Sequence, residues 1–214
     1  MNLFYGSVLL SLALCVSGRG NQLVTCGSVV KLYNSYYKVR LHSHDVKYGS
    51  GSGQQSVTGT TQQEDHNSNW LIKGPPKQPC KRGVPVSCGQ TIRIEHLATK
   101  RNLHSHHFSS PLSDQQEISA FGEEGEGDTG DDWIVICDGE EWARHDAIML
   151  RHHDTDVYLG VTGNQYGRPI FGQNEVVGLP RPGVQGKWQT MEGVYISPSS
   201  FSEDSRVFHD PTEL

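Results

Sequence analysis

Three tryptophans occupy the same place in three successive segments of this 214-residue chain, and their spacing constrains the fold more than any other feature. Trp70, Trp133 and Trp188 are 63 and 55 residues apart. A leucine precedes each tryptophan by 29 or 30 residues, and another aliphatic residue precedes each leucine by 9. These positions are Leu41, Leu103 and Leu159, preceded by Leu32, Ile94 and Leu150. Three spacings kept this closely indicate an internal repeat of about 55–60 residues.

Each repeat contains four short stretches typical of β-strands, and none contains a helical pattern. The first stretch alternates apolar and polar residues, as in "SVVKLYN", "QTIRIEH" and "DAIMLRH", and the last begins at the tryptophan. Val57, Ile118 and Val176 are the predicted inward residues of the third strand. Twelve strands in three groups of four predict an all-β fold, a β-trefoil with pseudo-threefold symmetry. The alternative is two separate sandwiches, which the equal spacing disfavours.

The first 18 residues have the pattern of a secretory signal peptide. An apolar run from Val8 to Val16 is followed by the small residues Ser17 and Gly18. The run is too short to span a bilayer, so we expect no membrane span in the mature protein. The chain has 18 basic and 24 acidic residues, a net charge of -6 and no Lys/Arg cluster, which argues against nucleic acid and anionic membrane as partners.

The mature chain would keep four cysteines in an oxidising compartment, so disulfides are expected. The first and last strands of one trefoil unit lie side by side in the barrel. Cys26 and Cys88 stand at matching starts of repeats one and two, whereas Cys80 and Cys137 follow the tryptophans of the same repeats. We therefore predict Cys26–Cys80 and Cys88–Cys137. Arg144 occupies the matching start in the third repeat.

The four letters "LHSH" occur twice, and they place histidine pairs on the second strand of two repeats. The alternation of a strand puts His42 and His44 on the face opposite Leu41, and places His104 and His106 alike. We expect these imidazoles to face a surface or a cleft, in structural hydrogen bonds or as a partner or ligand surface. Zinc needs three or four converging ligands, and two pairs related by the threefold axis are too far apart. No metal and no cofactor are predicted.

Two further features were weighed for binding. Trp142, in "EEWARHD", lies outside the tryptophan spacing and is predicted to be an exposed aromatic contact for a partner. The run from Glu123 to Asp132 holds six carboxylates in ten residues without the spacing of a calcium loop, so a solvated hairpin turn is expected. The chain has no nucleophile motif and no phosphate loop, and no enzyme activity is predicted.

The repeated L-H-S-H, the segment "GSGQQSVTG", the "SNW" before the closing strand and the later "MEGVYISPSS" resemble the stromal cell-derived factor 2 family, which is built of three MIR motifs. The resemblance covers residues 22–199. We assign the signal peptide to residues 1–18, MIR repeats to 20–78, 82–140 and 141–196, and a C-terminal tail to 197–214. MIR motifs also occur in protein O-mannosyltransferases and in the inositol trisphosphate and ryanodine receptors.

The resemblance implies a non-catalytic protein of the endoplasmic reticulum lumen. Family members look like partners of a J-domain co-chaperone and a BiP-type chaperone, acting on misfolded client proteins in protein quality control and the unfolded protein response. The alternative is a glycan-binding module that recognises O-mannosylated proteins. The chain ends in "HDPTEL", which keeps only Glu213 and Leu214 of a retrieval tetrapeptide, so secretion is the alternative to lumenal residence.

Overall fold

The computed structural model describes residues 22–197, so the predictions for the signal peptide and for most of the C-terminal tail lie outside the described residues. No helix in this part of the chain is long and apolar enough to cross a membrane. The first repeat contains β1 (Val29–Asn34), β2 (Val39–Lys47), β3 (Gln55–Thr60) and β4 (Trp70–Lys73). The second contains β5 (Thr91–His96), β6 (Arg101–Ser109), β7 (Gln116–Phe121) and β8 (Trp133–Ile136). The third contains β9 (Met149–His152), β10 (Tyr158–Gln165), β11 (Asn174–Leu179) and β12 (Trp188–Val194).

The strands form a barrel closed by three hairpins, which confirms the predicted all-β fold and is the arrangement of a β-trefoil. The barrel runs antiparallel through β1, β4, β5, β8 and β9, and β12 pairs with β1. Two backbone hydrogen bonds of 2.8 and 2.9 Å between Ile148 and Trp188 close the remaining gap. The hairpins are β2–β3, β6–β7 and β10–β11, and β3, β7 and β11 pair with one another around the axis.

The repeated tryptophans and leucines lie in the core and are joined by the same hydrogen bond in each repeat. Each indole Nε1–H donates to the carbonyl oxygen of the leucine of its own repeat at 2.9 Å. The pairs are Trp70–Leu41, Trp133–Leu103 and Trp188–Leu159, and all six side chains are fully buried. Val57, Ile118 and Val176 are fully buried too, as predicted. The constant spacing in the sequence therefore reflects one contact made three times.

A ring of backbone hydrogen bonds closes the end of the barrel at which β1, β5 and β9 start. The amide of Val24 donates to Trp142, that of Trp142 to Val86, and that of Val86 to Val24, at 2.8–3.0 Å. The prediction that Trp142 is exposed is therefore wrong, since this side chain is fully buried. The three ring residues stand eight positions before Leu32, Ile94 and Leu150, respectively. Trp142 thus belongs to a repeated position at which the other two repeats have valine.

Both predicted disulfides are present, Cys26–Cys80 and Cys88–Cys137, and each fastens the start of a repeat to its own end. The third repeat joins the same two places by a cation–π contact. There the guanidinium carbon of Arg144 lies 3.4 Å from the centre of the Tyr195 ring. Two repeats therefore join their start to their end by a disulfide, and the third does so by a cation–π contact.

The two ends of the described chain meet beside the barrel. Thr25 Oγ1 donates to the carbonyl oxygen of Ile196 at 2.6 Å, and the amide of Ile196 donates to Ser28 Oγ at 3.0 Å. The strand β12 of the last repeat also pairs with β1 of the first. The three repeats therefore form a closed ring of contacts.

Candidate functional site

The paired histidines of β2 and β6 divide into one buried and one half-buried residue in each repeat. His42 and His104 are almost wholly buried, whereas His44 and His106 reach the surface in part. The expectation that all four face a surface or cleft is therefore wrong for His42, whereas His104 borders the cleft described below. A 3₁₀ turn of the same repeat, His66–Ser68 or Thr129–Asp131, packs over this face of the hairpin.

In the first repeat the histidines form a chain of hydrogen bonds with one carboxylate. His42 Nδ1 lies 2.6 Å from Asp65 Oδ2, and His42 Nε2 lies 2.6 Å from His44 Nδ1. Burial raises the pKa of Asp65, but the hydrogen bonds from Ser68 and His42 outweigh it and place that pKa below its usual value. Asp65 is thus ionised and accepts a hydrogen bond from His42 Nδ1–H. Burial, followed by the charge of His42, lowers the pKa of His44.

In the second repeat one histidine faces two carboxylates. His104 Nδ1 lies 2.9 Å from Asp131 Oδ1 and 3.6 Å from Asp128 Oδ1. Asp131 is fully buried, and its other oxygen accepts from Asn102 Nδ2 at 2.9 Å and lies 3.5 Å from Arg93. The expectation of a turn of solvated acids is therefore wrong for Asp131, because the 3₁₀ turn brings its side chain beneath the hairpin.

In the third repeat this network is replaced by an apolar contact. Gly160 stands where the other repeats have the buried histidine, and Gly183 stands where they have Asp65 or Asp128. A Cβ on Gly160 would collide with the side chain of Leu179. The histidine and the aspartate that begins the turn are thus present together in two repeats and absent together in the third. This indicates that the pair forms one structural unit.

A cleft of about 320 Å³ opens where the second repeat meets the third. Its walls come from the end of β6, from the turn Thr129–Asp131 and from the residues that follow β9. The ionisable side chains that line it are His104, His106, His107, Asp128, His152 and Asp154. Burial lowers the pKa of His106 and of His152, so both imidazoles are neutral near pH 7. The cleft is therefore lined by the neutral imidazoles of His106 and His152 and by the side chains of Asp128 and Asp154.

The hairpin loops form a second surface, which we call the hairpin face and define as loops 48–54, 110–115 and 166–173. Each of two loops is held by a fully buried glutamate of the next hairpin. Glu117 accepts from the amide of Ser52 at 3.2 Å and from its hydroxyl. Glu175 accepts from the amides of Leu112 and Ser113 at 2.8 and 3.2 Å. Buried hydrogen bonds of this kind fix the conformation of loops 48–54 and 110–115.

Large apolar side chains are exposed on and beside the hairpin face. Phe171 is 82% exposed, and Leu112 and Phe108 are 42% and 48% exposed. Sequence reasoning missed these residues and the two buried glutamates. No local pattern distinguishes an exposed phenylalanine in a loop from a buried one, and the glutamates stand at a position that is serine in the first repeat, Ser56.

The comparisons with known proteins agree with this architecture. The family model of the MIR domain matches residues 33–141. The chain is 60% identical over 184 residues to stromal cell-derived factor 2 of Mus musculus, which covers 86% of this chain and 87% of that protein. The crystal structure of the SDF2-like protein of Arabidopsis thaliana superposes with a TM-score of 0.80 at 43% identity, covering 82% of this chain and 98% of that one.

A more distant likeness extends to a glycosyl-transferring enzyme. The S. cerevisiae protein O-mannosyltransferase Pmt1-Pmt2 complex, solved with its sugar donor bound, contains a region with a TM-score of 0.70 and 28% identity. That region covers 84% of this chain but only 29% of the transferase chain. The likeness is therefore confined to one part of the transferase.

Proposed function

Because the chain belongs to the stromal cell-derived factor 2 family, we propose that it is a non-catalytic binding module of the endoplasmic reticulum lumen. It would hold a J-domain co-chaperone and misfolded client proteins close to a BiP-type chaperone. Such tethering raises the effective concentration of the client near the chaperone without any chemistry of its own.

The two disulfides support the proposed location in the secretory pathway. The chain closes two disulfides, Cys26–Cys80 and Cys88–Cys137, and disulfides persist in the secretory pathway, where thiols are not kept reduced. Closed barrel ends and fastened repeats make a rigid scaffold. A rigid scaffold suits a module that presents a fixed surface to partners.

The observation that carries the proposal is the exposed apolar surface at the hairpin face. Phe171 and Leu112 expose apolar side chains on two loops of this face, and a protein partner can cover both. The neighbouring loops are fixed by Glu117 and Glu175, so burying this surface orders little additional chain. We assign the hairpin face to the co-chaperone contact.

Affinity purification from lumenal extract under native conditions tests this function. The mature chain should recover a J-domain protein, and Phe171→Ser should reduce the recovery by at least about tenfold, as expected for an interface anchor. Val194→Thr is the matched control, because Val194 is 67% exposed on β12, outside the hairpin face. Equal recovery with both variants would place the contact elsewhere, and recovery of no J-domain protein would contradict the function.

A second candidate function is recognition of O-mannosylated proteins. It is favoured by the likeness to the mannosyltransferase and by the polar cleft, whose carboxylates can accept hydrogen bonds from sugar hydroxyls. Titration with an O-mannosylated peptide, followed by NMR of the histidine side chains, tests it. The signals of His106 and His152 should shift with the glycopeptide and stay unchanged with the bare peptide. Identical spectra with both peptides would exclude the cleft as a glycan site.

A further inference from the structure

The second repeat gathers three side chains whose donor atoms converge as the ligands of a metal ion do. One ring nitrogen of His104 and one oxygen each of Asp128 and Asp131 lie within 4.8 Å of one another. The two separations from His104 Nδ1 are 2.9 and 3.6 Å. A tetrahedral zinc site with bonds of about 2.0–2.1 Å separates its ligand atoms by about 3.3–3.4 Å, which lies between these values.

The number of carboxylates distinguishes this place from its counterpart in the first repeat. There His42 faces the single carboxylate of Asp65, and Ser68 stands where the second repeat has Asp131. One imidazole N–H satisfies one carboxylate. In the second repeat the same N–H faces two carboxylates, of which Asp128 also accepts from the amide of Gly130 at 2.8 Å, and a divalent cation would balance the charge of both.

The surrounding hydrogen bonds leave room for this interpretation. Arg93 directs its Nε to Asp132 at 2.6 Å and lies farther, at 3.5 Å, from Asp131. Asn102 is fully buried and donates to Asp131, but its own Oδ1 accepts no hydrogen bond within the described residues. Both oxygens of Asp131 thus have a partner, Oδ1 in His104 and Oδ2 in Asn102, and a bound ion would take the place of the proton between His104 and Oδ1.

The residues also indicate which metal fits. An imidazole nitrogen with two carboxylate oxygens suits zinc and other first-row divalent ions, whereas calcium requires six to eight oxygen ligands. Asp128 is 60% exposed at the rim of the cleft, so an ion can enter from solvent. The cleft leaves the remaining coordination position open to water or to a group of a bound partner.

We propose that His104, Asp128 and Asp131 form a zinc-class divalent cation site at the rim of this cleft. The sequence-based expectation of no metal considered the histidine pairs for zinc and the acidic run for calcium, and never the two together. The acids come from a turn 24 and 27 residues later, and only the fold brings them to His104. The site does not depend on the co-chaperone contact, and it shares His104 and Asp128 with the cleft considered above for glycans.

Zinc titration of the mature chain with both disulfides intact tests the site, using a chromophoric chelator as competitor. Asp128→Asn is the decisive variant, because asparagine caps the 3₁₀ turn as well as aspartate does and removes only the charge. Asp154→Asn is the matched control, since Asp154 lines the same cleft outside the triad. Asp128→Asn should raise the Kd for zinc by at least about tenfold, and Asp154→Asn should change it less than about twofold.

Three outcomes would overturn the proposal. The wild-type chain could bind no zinc, Asp128→Asn could bind as tightly as wild type, or both variants could weaken binding equally. Circular dichroism of both variants guards against a folding artefact. NMR of the imidazole nitrogens supplies a second readout, in which zinc should shift His104 and leave His42 of the first repeat unchanged.

Discussion

Trp70 donates its indole N–H to the carbonyl oxygen of Leu41 at 2.9 Å, and this bond ties the closing strand of the first repeat to its hairpin. The fourth tryptophan differs, because the Nε1 of Trp142 has no hydrogen-bond partner within the described residues. Trp70 and Trp142 are equally buried, but only Trp70 makes an indole hydrogen bond. Comparing variants of the two therefore separates the contribution of packing to stability from that of the hydrogen bond. The first prediction rests on this contrast.

Trp70→Phe should lower the free energy of unfolding by roughly 2–4 kcal/mol, because it leaves the buried carbonyl of Leu41 unpaired and opens a small cavity. Trp142→Phe loses packing alone and should cost about 1–2 kcal/mol. Urea denaturation followed by far-UV circular dichroism measures both. Equal costs would mean that the indole hydrogen bond contributes nothing.

Gly160→Ala should destabilise the third repeat by about 1–3 kcal/mol, because the new methyl group collides with Leu179. The double variant with Leu179→Ala should recover part of that loss, since the shorter side chain vacates the space. A double-mutant cycle in urea measures the coupling. Strict additivity would contradict the collision.

His96 should make the protein sensitive to acid. Its Nδ1 lies 2.8 Å from Thr99 Oγ1 and its Nε2 lies 2.9 Å from the carbonyl oxygen of Asn67. Burial lowers its pKa to about 4, whereas the unfolded chain has the ordinary value of about 6.5. Between these two pKa values the unfolded state binds more protons than the folded state. The contribution of neutral His96 to the free energy of unfolding is therefore complete above pH of about 6.5 and is lost as the pH falls towards 4.

His96→Asn tests this, because asparagine is the natural residue at the same position of the first repeat, Asn34. Between pH 7 and pH 4.5 the wild type should lose about 2 kcal/mol more free energy of unfolding than the variant does. Denaturation curves at the two pH values provide the comparison. A variant with the same pH dependence would show that His96 is protonated in the folded state.

Replacing Cys88 and Cys137 by serine should cost about 4 kcal/mol, because the disulfide closes a span of 49 residues in the unfolded chain. The Cys26–Cys80 pair spans 54 residues and should cost the same within a few tenths of a kcal/mol by the same relation. Thermal unfolding of the two double variants checks this. Peptide mapping without reduction would contradict the pairing if it joined Cys26 to Cys88.

The fold was predictable because its core positions repeat without interruption. Trp70 and Leu41 recur at fixed spacing, since the contact between them recurs. The burial of Trp142 was not predicted, because the other two repeats have valine at the same position, at Val24 and Val86. A comparison of tryptophans alone therefore does not reveal this repeated position.

The candidate site was less predictable, because strand alternation describes only one sheet. It does not reveal that a turn from 23 or more residues later covers the second face and buries His42 and His104. The sequence contains one indication that the turn covers the histidines. An acid and a histidine recur together in two repeats, and glycines replace both in the third. The joint presence of Gly160 and Gly183 indicates that these two repeat positions are in contact in the fold.

The meeting of Thr25 and Ser28 with Ile196 also has a topological consequence. A short linker could join the two ends, and the chain could then be opened between the first and second repeats or between the second and third. Such circular permutants would keep the barrel, the hairpins and each tryptophan–leucine bond, since every one of those bonds lies within a single repeat. Such permutants would therefore be expected to reach the same arrangement with the three repeats synthesised in a different order.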